Sequence, residues 1–100
     1  MATVDVSLIN TMAKDTATAN GIIGVSSART LPIVDSDGNP ALEITLVLSS
    51  ELSANNLPKD AASTTLVQMH DWLLQVGDER FPYIRYATPE DLKVTLGSDE

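Results

Sequence analysis

The stretch that most constrains this chain is DAASTTLVQMHDWLLQVG, from Asp60 to Gly77, which holds the only Trp and the only His. Its ends have the form of helix boundaries. Asp60 stands where a carboxylate can accept from the orphan amides of a first turn, and Gly77 stands where the chain can leave in a left-handed conformation without steric cost. The roughly 16 residues between them make a helix of about 24 Å. Leu66, Met69, Leu73 and Val76 form one apolar stripe with Trp72 on its near shoulder, while Val67, His70 and Leu74 fall on the far shoulder. Thr64, Gln68, Asp71 and Gln75 mark the polar face. A surface helix needs an apolar arc of about 100°, and this one spans roughly twice that. One sheet face does not cover such an arc, so the remainder requires a second helix, the C-terminal tail or another chain.

The segments on either side supply strands. Gly21 to Val25 (GIIGV) and Thr30 to Val34 (TLPIV) are short and β-prone, and Pro32, lacking an N–H, places the second at an edge. Asp35 to Pro40 (DSDGNP) is a turn centred on Asp37-Gly38. In Leu42 to Leu48 (LEITLVL), Leu42, Ile44, Leu46 and Leu48 alternate with Glu43, Thr45 and Val47, the pattern of a half-buried strand. Phe81 to Tyr86 (FPYIRY) is a further strand, again marked as an edge by Pro82, with Phe81, Tyr83 and Arg85 sharing one face.

Before these strands, Leu8, Ile9, Met12 and Ala13 follow helical spacing behind a possible Asp5 cap, which predicts a short helix over Val6 to Lys14 and a connector over Asp15 to Asn20. Ser49 to Lys59 is a polar connection with Leu52 and Leu57 as anchors. Thr88-Pro89 has the form of a helix start, yet Leu92, Val94 and Leu96 alternate, which predicts a helical turn, a short extended segment and a frayed end. The order of elements predicts one α+β domain over residues 1–100, with an antiparallel or mixed sheet of about four strands and both helices on one face. If Leu42 to Leu48 and Phe81 to Tyr86 are parallel neighbours, their crossover is expected to be right-handed.

Composition narrows function mainly by exclusion. Six Lys plus Arg against fourteen Asp plus Glu give a net charge of −8, which argues against a phosphate-backbone binder. There is no Cys, hence no thiolate metal site, and with a single His no transition-metal cofactor is expected. No apolar run approaches the roughly 20 residues of a membrane span and no secretory leader is evident, so a soluble cytoplasmic protein without a membrane partner is expected.

No catalytic constellation emerges. His70 and Asp71 are adjacent, and adjacent helical residues point about 100° apart, so they do not form a pair within one helix. Asp35-Ser36-Asp37-Gly38-Asn39 resembles the opening of a calcium loop but has its Gly fourth rather than sixth and Leu46 where the bidentate Glu belongs. The chain is therefore expected not to be an enzyme.

One distribution stands out. Trp72, Phe81, Tyr83 and Tyr86 lie within fifteen positions, with Arg80 and Arg85 among them. Trp, Tyr and Arg dominate binding hot spots because they bury large areas while keeping a polar handle. Val67, His70, Trp72, Leu74, Tyr83 and Arg85 are the candidate binding residues. The leading expectation is a non-enzymatic protein–protein interaction or assembly module whose partner is another protein or a second copy of itself, a profile associated with small accessory proteins of phages and mobile elements. The alternatives are a small-molecule binder with a pocket around Trp72, His70 and Tyr83, and an acidic inhibitor or decoy of a nucleic-acid-binding protein.

Overall fold

The computed structural model describes residues 3–49 and 57–88. Five elements follow one another: helix α1 (Val6–Ala19), strand β1 (Val25–Val34), strand β2 (Pro40–Leu48), helix α2 (Ala61–Gln75) and strand β3 (Phe81–Ala87). The strands form one mixed sheet in the order β1-β2-β3, with β1 antiparallel and β3 parallel to the central β2. The α+β class and the placing of both helices on one sheet face are as expected. Among the described residues there are three strands rather than four, because TLPIV and the end of GIIGV belong to one ten-residue β1. Gly21 and Gly24 have φ of +88° and +78°, so the start of GIIGV turns instead of extending. The two strands with an internal proline, β1 (Pro32) and β3 (Pro82), lie at the edges of this sheet, and the central β2 has its proline, Pro40, only at its first position.

β2 explains why the helices sit where they do. Leu42, Ile44, Leu46 and Leu48 are fully buried and form one cluster with Ile9, Ala13 and Ala17 of α1 and Met69 and Leu73 of α2. The hairpin into β2 is closed by Asp35, whose carboxylate accepts from the amides of Asp37 and Asn39 at 2.9 Å each. That carboxylate serves the turn, in agreement with a hairpin rather than a calcium loop.

α1 continues five residues past the expected end. Its buried line is Ile9, Ala13 and Ala17, an i, i+4, i+8 series in which two members are too small to register as a strong apolar period. The same small residues let the helix lie close to the sheet. Asp5 caps it as expected, accepting from the Ser7 amide at 3.1 Å. Its C-terminus closes on Gly21, whose amide donates to Thr18 O (3.0 Å) while the Ile22 amide donates to Ala17 O (3.0 Å), the double bond of a Schellman motif. α2 ends in the same way on Gly77, with Gly77 N donating to Leu74 O (3.1 Å) and Asp78 N to Leu73 O (2.8 Å).

The start of α2 departs from expectation. Asp60 occupies the cap position, but at φ +64° its side chain makes no capping bond. An N-cap side chain reaches the first-turn amides from extended backbone, and left-handed backbone aims it elsewhere. The buried stripe of α2 is Ala61, Thr65, Met69 and Leu73, with Leu66 and Trp72 half-buried and Val76 exposed. Thr65 joins it because its hydroxyl accepts from Asn20 Nδ2 at 2.9 Å, and the same amide group donates to Gln68 Oε1 at 2.9 Å, tying α1 to this flank of α2. Leu57 packs against the core as an anchor. Leu52 and the segment predicted over Pro89 to Glu100 lie outside the described residues.

Candidate interaction surface

Each residue of α2 takes its surroundings from its angle about the helix axis. Val67 lies about 160° around from Met69, so Val67 and, two turns on, Leu74 point almost directly away from the core. They are 56% and 48% exposed. Each thus leaves about half of its surface in water, and burying that remaining half would be worth roughly 1 kcal/mol per side chain. α1 covers the Gln68 flank, and the sheet covers the inner stripe. Among the described residues nothing covers the outer half of the wide arc.

His70 and Asp71 flank this line at roughly 50° on either side. The His70 ring meets Phe81 edge-on at 4.9 Å, and Phe81 meets Tyr83 in the same manner, also at 4.9 Å. Strand alternation puts Phe81, Tyr83 and Arg85 on the sheet face opposite the helices. The three rings therefore carry the outer surface of α2 round the β3 edge to the far side of the sheet. There Tyr83 is 45% exposed in one row with Glu43 and the exposed Leu31. Arg85 stands in the next row, 3.9 Å from Glu43, with its side chain largely in solvent.

Five of the six candidate residues thus share a connected surface, with Phe81 as the link between helix and sheet. Trp72 does not join it. It lies about 160° from His70 around α2 and packs half-buried against the core. The cleft that contains His70 is elsewhere, about 510 Å³ and lined by Thr3, Asp35, Pro40, Asp78, Arg80 and Phe81 among others. Neither Trp72 nor Tyr83 lines this cleft.

Charge is distributed unevenly over this surface. The fifteen residues of α2 include one of the chain's fourteen acids, Asp71, and no Lys or Arg. Ala62, Ser63, Thr64, Gln68 and Gln75 make up the rest of its exposed side. Among the described residues neither His70 nor Asp71 forms an ion pair.

At the base of the cleft, Asp78 is 1% exposed and holds Arg80 at 2.7 Å while accepting from the Val4 amide at 3.0 Å. The Arg80 guanidinium, helped by the amides of Val4 and Arg80, holds the Asp78 carboxyl down at about 2, and Asp78 in turn raises Arg80 above its ordinary value. Such a clasp joins the chain ahead of α1 to the α2–β3 link, and nothing in sequence spacing announces it: Val4 is 74 positions from Asp78. Burial raises the Tyr86 phenol; Thr65 moderates the shift, although among the described residues the Tyr86 hydroxyl has no partner in hydrogen-bond geometry. Among the described residues no three His, Asp or Glu side chains gather as a metal site, and no helix is long and apolar enough to cross a membrane.

Compared with protein-family models, characterised proteins and solved structures, the chain finds no match in any of the three.

Proposed function

We propose that this protein is a non-enzymatic interaction module that works through the outer face of α2, and that the occupant of that face is a second copy of the chain. The observation that carries this is the outward line of Val67 and Leu74, two large apolar side chains more than 45% exposed on the side of the helix farthest from the core. Charge supports a second copy as the occupant. A chain of net charge −8 repels its own copies over most of its surface, and α2 offers one carboxylate in fifteen residues. Depletion of charge at the centre, with aromatic residues beside it, is the composition of a protein interface. The aromatic chain His70, Phe81 and Tyr83 extends the same surface.

A single helix face about 22 Å long is at the small end of specific interfaces, below about 1,200 Å² in total, so association of micromolar order is expected. Replacing both Val67 and Leu74 with Ser tests it. The pair should lower the stability of the monomer by only about 1–2 kcal/mol, because each side chain is half exposed, and should abolish concentration-dependent association in light scattering. Unchanged association in the double variant would contradict the proposal.

The cleft beside His70 and Phe81 favours a second reading, a small-molecule site in place of one at Trp72. Titrating the ¹⁵N-labelled protein with a metabolite library checks it: shifts confined to residues 70 and 78–81 support a ligand there, and their absence across the library counts against it.

A further inference from the structure

Resting on that reading, we propose that two copies pack their α2 helices in parallel about a two-fold axis running along the helices, so that His70 of each copy faces Asp71 of the other. Val67 and Leu74 are seven residues apart, two turns, and repeat on one line of the helix about 10.5 Å apart. A seven-residue apolar repeat is the spacing at which two helices keep a common seam. In the parallel arrangement Val67 meets Val67 and Leu74 meets Leu74, in two layers.

The flanks select the direction. His70 lies on one side of the seam and Asp71 on the other, at nearly the same height. A two-fold axis along the helices exchanges the flanks, placing each imidazole against the other copy's carboxylate, twice. A two-fold axis perpendicular to the helices keeps each flank on its own side, so an antiparallel pair centred on the same line sets Asp71 beside Asp71 and His70 beside His70. Two carboxylates set side by side disfavour that register, whereas an imidazole N–H donating to the other copy's carboxylate favours the first. At the N-terminal end Ser63 and Thr64 flank the seam with small polar side chains that obstruct neither helix.

The His70 ring is already held edge-on by Phe81, so it is oriented before a second copy arrives. Asp71 is its own neighbour in sequence but points some 100° away, and Asp35, Asp78, Glu79 and Arg80 lie around the cleft on the His70 side. Of these, Asp78 is held by Arg80, and the Asp35 carboxylate serves the turn amides. The second copy's Asp71 approaches from the opposite, solvent side.

The chain has no cysteine, so single cysteines report the register directly. Val67→Cys alone and Leu74→Cys alone should each give a covalent dimer in high yield with a short bis-maleimide linker. High yield only when the two variants are mixed would overturn the parallel register while leaving self-association through α2 standing. Charge exchange gives an independent readout by sedimentation. His70→Asp, which sets four carboxylates along the seam, should weaken association about tenfold or more, and adding Asp71→His should restore it to within about threefold. Failure of the exchange to restore association overturns the paired flanks. A wild-type protein that stays monomeric to about 100 µM and yields no covalent dimer would instead remove the second copy itself, and with it the reading on which the register rests.

Discussion

Asp78 accepts from the Val4 amide and from Arg80 through both its Nε and one of its terminal nitrogens, all within 3.2 Å. Removing one member of a buried pair leaves the other charge uncompensated. Asp78→Ala is therefore expected to destabilise the fold by roughly 3 kcal/mol in urea denaturation. The pair also sets a pH dependence. The folded carboxyl titrates at about 2 against an ordinary value of 3.8, so its stabilisation, about 2 kcal/mol, is present above pH 4 and is lost as pH falls from 4 towards 2. In the Asp78→Ala variant that portion of the acid dependence should be missing; an unchanged acid profile would show that the clasp does not hold in solution. Such a clasp is invisible in sequence, since an Asp two residues before an Arg is commonplace and the decisive third partner is a backbone amide near the N-terminus.

At the scale of elements, the ends of the helices separate what periodicity reveals from what it conceals. Gly77 is legible as a stop signal and closes α2 with a left-handed turn and two bonds to the last carbonyls. Asp60 is equally legible as a start signal, yet the start works without its carboxylate: Ala61 N donates to Pro58 O and Thr64 N to Asp60 O. A capping role makes Asp60→Gly destabilising, whereas a strained left-handed Asp makes it stabilising, by roughly 0.5–1 kcal/mol, because glycine adopts that backbone freely. Thermal denaturation of this one variant distinguishes the two. The β2 strand and its turn are legible for a simpler reason, since four alternating branched residues after Asp-Gly admit few other structures. The length of α1 is not, because alanines 13 and 17 bury a helix face without a strong apolar signal.

For the whole molecule, the width of the α2 arc is the most informative property of the sequence, although which half of it would be buried is not legible. That choice depends on Thr65, a polar residue that enters the core because Asn20 of α1 donates to it, and this displaces Val67 and Leu74 to the outside. The gathering of aromatics is legible as a cluster but not its division: Trp72 and Tyr86 turn to the core, while Phe81 and Tyr83 link His70 to the open sheet face. The molecule is an acidic α+β domain whose helix α2 carries one acid and no Lys or Arg, and that is the face proposed for self-association. Sedimentation equilibrium of the wild-type protein from a few micromolar to about 100 µM tests it most directly. The weight-average mass should rise from 10.7 kDa towards twice that value, with the rise absent in the Val67→Ser, Leu74→Ser variant. A mass that stays at 10.7 kDa throughout, or a variant that associates like the wild type, would contradict it.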